Sequence, residues 1–138
     1  MDNLILIMFV AILVIGFVLL AVIALANRSK GKLNKEAFKA QWQQIEKLRE
    51  QGGAGWQLAI LEADKLLDQA LRQSGYSGQT MGERLKSARK AFKNVDHVWQ
   101  AHKIRNQLAH ESGFKLNSMT TNRALRYFRA GLKDLGAF

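Results

Sequence analysis

Residues 56–74, WQLAILEADKLLDQALRQS, repeat apolar side chains at the spacing of one face of an α-helix. That face consists of Trp56, Ala59, Ile60, Ala63, Leu66, Leu67, Ala70 and Leu71. Gly75 follows directly, at the position where a glycine commonly ends a helix in the left-handed conformation. A helix with so wide an apolar face must bury that face against other helices, so these residues predict a helical bundle.

The segments on both sides of this helix have the same helical periodicity. They predict further helices over residues 34–51, 80–92, 95–111 and 118–135. Asn34 is a suitable N-cap, and Thr80 with Glu83 predicts a capping box. The three glycines within residues 52–55 predict a break before Trp56, because glycine in a helix costs backbone entropy. The sequence therefore predicts an all-α fold, with four to five helices in a small bundle over residues 35–138.

The N-terminal segment differs from the rest of the chain in composition. Residues 4–26 hold 22 apolar residues and one glycine, with no charge. At ~1.5 Å per residue this segment spans ~34 Å, enough for a ~30 Å hydrocarbon core. The sequence predicts a transmembrane helix from Leu4 to Ala26, within an anchor over residues 1–26. An uncleaved signal sequence or a buried core helix is the alternative, although a secretory signal needs basic residues before its apolar run.

Four basic residues follow the apolar segment closely, whereas none precedes it. They are Arg28, Lys30, Lys32 and Lys35. The positive-inside rule then places the N-terminus outside and residues 27–138 in the cytoplasm of a single-pass protein of the inner or plasma membrane. Residues 27–34 form a basic juxtamembrane linker that favours contact with anionic lipid headgroups.

The part of the chain after position 26 is strongly basic, because it contains all 21 Lys and Arg residues. Two predicted helices each carry a basic stripe. The stripes consist of Lys86, Arg89, Lys90 and Lys93, and of Arg123, Arg126, Arg129 and Lys133. Such a stripe is either a solvated face of the bundle or a surface that follows phosphates, in RNA or in lipid headgroups.

Several classes of site are excluded or disfavoured by composition. The chain has no cysteine, which excludes disulfides, thiolate metal sites and a cysteine nucleophile. It also has no phosphate-binding or dinucleotide-binding glycine motif and no zinc-protease motif. Two of its three histidines, His102 and His110, lie eight residues apart, which is a weak metal signal. We therefore expect neither a metal nor a cofactor.

Residues 95–111, VDHVWQAHKIRNQLAHE, carry the most informative pattern. Arg105 falls in the middle of the apolar band of this predicted helix, with His102 and Asn106 beside it. An arginine cannot lose its charge, so it needs a carboxylate, carbonyls or a solvated cleft. Glu62 and Asp64, which flank the apolar face of residues 56–74, are the expected partners.

Residues 105–110, RNQLAH, resemble the R-x4-H motif of the HEPN superfamily, which has a polar residue after the arginine. The resemblance covers about residues 56–135 and implies a small helical bundle that cleaves RNA without a metal, as a homodimer. It further implies that Arg105 stabilises the phosphorane charge and that His110 moves the proton of a ribose 2′-hydroxyl. Imidazole suits that step because it gains and loses a proton near cytoplasmic pH. Asn106 would orient the histidine or the phosphate, and Glu62 would fix Arg105.

A second interpretation stays open, because an arginine paired with an acid near a helix end is also an ordinary polar clamp and many HEPN domains do not catalyse a reaction. The chain would then be a non-catalytic, membrane-anchored module that binds a protein, a nucleotide or RNA. His102 is expected to be structural and to pack against Trp99. Residues 75–78 and 80–86 also resemble uncharacterised single-span bacterial proteins, a likeness that implies no activity.

Overall fold

The computed structural model describes residues 2–28 and 31–138 of the chain, which form two compact units, Met1–Gly31 and Lys32–Phe138. The described residues contain helices and no strands, so the predicted all-α fold is confirmed. In the first unit, helix α1 covers Asp2–Arg28. Its segment Asn3–Ala24 is long and apolar enough to cross a membrane, and none of it is buried within its own unit. A signal sequence near an N-terminus has the same properties.

The predicted basic linker over residues 27–34 is described only in part. Residues 29 and 30, together with the side chains of residues 25–28, lie outside the described residues. The predictions for Arg28, Lys30 and the side chain of Ala26 therefore concern parts of the chain outside the described residues. Lys32 and Lys35 are exposed.

The second unit is a bundle of five α-helices, as the sequence predicts. The helices are α2 (Lys35–Glu50), α3 (Ala54–Gln73), α4 (Met81–Ser87), α5 (Val95–His110) and α6 (Ser118–Asp134). Helix α3 packs against α2, α4, α5 and α6 and is the centre of the bundle. Its buried face contains all the apolar residues of the face predicted for residues 56–74 except Trp56, which is partly exposed.

The core extends from α3 into every neighbouring helix. Phe38 of α2, Leu85 of α4, Val98 of α5 and Phe128 of α6 are each at most 2% exposed. Gly131 lets α6 approach this core closely, because a β-carbon there would lie 3.1 Å from the side chain of Val98. The domain therefore has one continuous apolar core.

Three predicted helix ends are confirmed by their hydrogen bonds. The side chain of Asn34 accepts from the amide of Ala37, and that of Thr80 accepts from the amide of Glu83. Gly75 has a φ of 80° and ends α3 in the left-handed conformation. These local signals succeeded because each involves residues within one turn of the helix that it ends.

Two predicted boundaries are wrong. Helix α3 begins at Ala54 rather than at Trp56, so Gly55 is helical. A β-carbon on Gly55 would collide with the carbonyl oxygen of Leu48, so this glycine allows α2 and α3 to approach each other. The helix predicted over 80–92 ends at Ser87, and a 3₁₀ turn, Arg89–Ala91, follows.

The early end of α4 has a packing cause. After the 3₁₀ turn, Phe92 adopts an extended backbone conformation and becomes buried in the core. Asn94 then caps α5 by accepting a hydrogen bond from the amide of His97. The burial of Phe92 thus goes with an extended backbone at this residue, which a helix continuing to Phe92 would not have.

Candidate functional site

An open cleft of about 1120 Å³ lies between α3, α4 and α5. We call it the α3–α5 cleft. Leu61 of α3, Met81 of α4 and Trp99 of α5 supply apolar surface to it. Its polar lining is of mixed charge and includes Asp64, His102, Arg105 and Asn106. Glu62 lines the cleft as well, so the structure brings five of the predicted site residues to it.

The carboxylate of Asp64 is the centre of this group. Oδ1 lies 2.7 Å from Nδ1 of His102, and Oδ2 lies 3.3 Å from Nε of Arg105. The Asp64 side chain is 7% exposed, so α3 presents a buried acid to α5. His102 and Arg105 both reach it because residues three apart on a helix lie on the same side.

The orientation of His102 follows from this contact. A carboxylate accepts hydrogen bonds and does not donate them, so Nδ1 of His102 is the donor. Nε2 has no hydrogen-bond partner among the residues that the structure describes, and it is not fully buried. The indole of Trp99 packs edge-on against the imidazole, with the ring centroids 6.0 Å apart. The imidazole is thus fixed through Nδ1, and His102, although its side chain is only 11% exposed, is one of the residues that line the cleft.

Arg105 is partly exposed, although it falls in the middle of the apolar band of α5. Its side chain is 35% exposed, because the cleft opens beside it. Nη1 donates to Oδ1 of Asn106 at 3.1 Å, and Arg105 lines the cleft. A guanidinium that is held by one carboxylate and lies partly exposed beside an open cleft is suited to bind a phosphate or carboxylate.

Glu62 does not make the contact with Arg105 that the sequence suggested. Its side chain is 50% exposed and lies 4.0 Å from Lys65 on the same helix. Glu62 also lines the cleft, but positions two apart on a helix point about 200° apart at ~100° per residue, and the ion pair with Arg105 is made by Asp64. Of the two expected partners, Asp64 is therefore the one that contacts Arg105.

A second ion pair, which the sequence analysis missed, forms the wall of the cleft. Arg84 of α4 binds both oxygens of Asp68, at 2.7 and 3.0 Å, and also donates to the carbonyl of Gly78. The Arg84 side chain is only 6% exposed. The four-residue spacing of Asp64 and Asp68 on one face of α3 was the available signal. This pair fastens α4 and the loop before it to α3.

His110 lies outside the cleft. It is the last residue of α5, it is exposed, and it does not line the α3–α5 cleft. Five residues along a helix rotate the side chain by about 140°, at ~100° per residue, so His110 and Arg105 point in different directions. Within one chain, the structure does not bring the two ends of the R-x4-H pattern together.

The basic residues predicted to form stripes are all exposed. Those at 123, 126, 129 and 133 lie on α6. Arg126 and Arg129 also line a smaller groove beside Arg49 of α2. The other set does not lie on one helical face, because α4 ends at Ser87 and leaves Arg89, Lys90 and Lys93 beyond it.

Among residues 2–28 and 31–138, no three His, Asp or Glu side chains are placed to hold a metal ion together. Comparison of the chain with known protein families, with curated proteins and with solved structures found no match.

Proposed function

We propose that this chain is a single-pass membrane protein whose helical domain binds single-stranded RNA and cleaves it without a metal. The observation that carries the proposal is Arg105, whose Nε lies 3.3 Å from Asp64 and whose side chain, 35% exposed, lines an open cleft. Cleavage of a phosphodiester builds negative charge on phosphorus, and a fixed guanidinium stabilises that charge. The R-x4-H resemblance to HEPN ribonucleases supports the same reaction.

In this proposal the exposed face of α6 guides the RNA. Four basic side chains, Arg123, Arg126, Arg129 and Lys133, are exposed along this helix. Lys and Arg that follow a phosphate backbone release counterions when RNA binds. RNA binding should therefore weaken steeply as salt rises.

The resemblance assigns proton transfer to His110, and this assignment needs two copies of the chain. His110 and Arg105 point about 140° apart on α5, at ~100° per residue, so the His110 that serves Arg105 would come from a second copy. The exposed position of His110 is compatible with such a homodimer.

The proposed topology places the helical domain in the cytoplasm and the N-terminus outside the inner or plasma membrane. Its support is the four basic residues that follow the apolar segment 4–26 and the absence of basic residues before that segment. The same residues would contact anionic headgroups.

A direct test uses the full chain in detergent micelles with an unstructured single-stranded RNA in excess EDTA. We expect cleavage products that end in 2′,3′-cyclic phosphate, because the adjacent 2′-hydroxyl attacks. DNA of the same sequence should stay intact, since it lacks that hydroxyl. Arg105→Ala should abolish cleavage, whereas Lys115→Ala, which removes an exposed charge outside the cleft, should not. An intact RNA after incubation with the unaltered chain would refute the proposal.

A second candidate function is a non-catalytic binding module, and the contacts of Asp64 favour it. This carboxylate contacts both His102 and Arg105, as it would in a purely structural clamp between α3 and α5. The module would bind RNA, a nucleotide or a protein through the same cleft. Retention of RNA on the full chain without any cleavage would favour this function over the first.

A further inference from the structure

In the α3–α5 cleft of one chain, His102 and Arg105 contact the same buried carboxylate, that of Asp64. We propose that His102, and not His110, accepts the proton of the ribose 2′-hydroxyl, while Arg105 of the same chain binds the phosphate. This inference rests on the proposed function and names the site and the substrate class: a phosphodiester of single-stranded RNA with one base in the cleft. The site is complete without a second copy of the chain.

The first support is the way Asp64 holds His102. Its contact with Nδ1, at 2.7 Å, fixes the imidazole so that Nε2 is the nitrogen left to accept a proton. Nε2 has no partner among the described residues, and the ring lines the cleft. An acid that orients a histidine and stabilises its protonated form is a recurrent arrangement in general base catalysis.

The second support is that the same carboxylate holds Arg105. Because Asp64 contacts His102 through Oδ1 and Arg105 through Oδ2, the two side chains have fixed positions relative to each other. Neither can shift without breaking a contact to a buried acid. Such preorganisation is what a transition state with developing charge needs.

The third support is the apolar side of the cleft. Trp99 lies next to His102 and lines the cleft together with Met81 and Leu61. Proteins bind unpaired bases by stacking them on aromatic side chains, and this is how single-stranded RNA is usually held. A duplex, whose bases are stacked and paired, does not offer a base to Trp99.

The reaction balances without any further reagent except water. The 2′-hydroxyl gives its proton to Nε2 of His102 as its oxygen forms a bond to phosphorus. The bond from phosphorus to the 5′-oxygen breaks, and that oxygen takes a proton from water. The products are a 2′,3′-cyclic phosphate and a 5′-hydroxyl, and the imidazolium returns its proton to solvent.

The test uses His102→Asn in the full chain in detergent micelles. The amide nitrogen of asparagine can replace Nδ1 as donor to Asp64, so the clamp is kept while the proton acceptor is lost. We expect kcat for RNA cleavage to fall by about 10²–10⁴-fold with little change in KM. The control is His97→Asn: His97 lies on the same helix, stacks on Tyr127 and does not line the cleft, so its kcat should be unchanged.

Two further measurements separate catalysis from folding. Added imidazole should restore cleavage to His102→Ala, where it can enter the space left by the ring, but not to Arg105→Ala. Binding of the same RNA with one 2′-deoxyribose at the cleavage position should be kept by His102→Asn and weakened by Arg105→Ala.

Complementation shows whether the site lies within one chain. Co-expressed His102→Asn and Arg105→Ala chains should stay inactive as a mixture, because no copy has both groups. Restored activity in the mixture of the two variants, or full activity of His102→Asn alone, would overturn this inference. Neither result would contradict the proposed function. No cleavage by the unaltered chain would overturn both.

Discussion

At the scale of single residues, Asp64 connects the two basic side chains of the candidate site. It is 7% exposed and contacts two basic side chains of α5. A buried carboxylate stabilises the domain only while its basic partners are present, because without them the cost of burying its charge is not offset. The carboxylate therefore matters for stability as well as for the proposed chemistry.

Asp64→Ala should lower the free energy of unfolding by about 3 kcal/mol, the lower end of the range for a broken buried pair, because Arg105 is one-third exposed. Urea denaturation followed by circular dichroism measures this value. Glu62→Ala, on the same helix but exposed, should change it by less than about 0.5 kcal/mol. Equal effects of the two substitutions would show that Asp64 is not a clamp.

Arg84→Ala should be at least as destabilising, by about 3–5 kcal/mol, because Arg84 is buried and binds both oxygens of Asp68. The effect should be local as well as global: hydrogen exchange should accelerate first in α4 and in the loop before it. Arg72→Ala is the matched control, since Arg72 contacts the same carboxylate from an exposed position. Uniform exchange across the bundle would contradict this expectation.

At the scale of helices, the approach of α2 to α3 depends on Gly55. Its missing β-carbon would collide with the carbonyl oxygen of Leu48. Gly55→Ala should destabilise the domain by about 1–3 kcal/mol, the cost of overpacking, although alanine is the better helix former. Gly82→Ala is the control, because a β-carbon there would meet Trp99 at an ordinary 3.6 Å. Thermal unfolding of both variants checks this, and a more stable Gly55→Ala would refute it.

The sequence predicted the helices well because their apolar spacing and their caps are local properties. Residues 34, 75 and 80 each end or begin a helix by contacts within one turn. The errors at Gly55 and at the end of α4 have tertiary causes: the contact with Leu48 and the burial of Phe92. The helix propensity of a residue does not indicate which tertiary contacts that residue makes.

The sequence predicted which residues belong to the candidate site better than it predicted how they are arranged. Sequence spacing placed Arg105, His102 and Asn106 side by side, and Asp64 was one of two expected partners. It did not reveal that Arg105 is partly exposed, nor that Arg84 and Asp68 build the adjoining wall. Those facts depend on where α4 crosses α3, which no local pattern specifies.

At the scale of the whole molecule, one apolar helix precedes a basic helical domain. A C-terminal fluorescent-protein fusion should fluoresce and a C-terminal alkaline phosphatase fusion should be inactive, because the basic residues after α1 favour a cytoplasmic C-terminus. Membrane fractionation of the same fusions shows whether the chain stays in the membrane. An active phosphatase fusion would reverse the proposed orientation.

The shared carboxylate of Asp64 has an evolutionary consequence. Selection for folding alone would preserve Asp64 and a hydrogen-bond donor at position 102, even in a lineage that had lost its substrate. Asparagine at position 102 would satisfy that demand, but only histidine also offers a base. Variation at this position among related chains, rather than the persistence of Asp64, would therefore distinguish chains that kept the proposed chemistry from chains that kept only the fold.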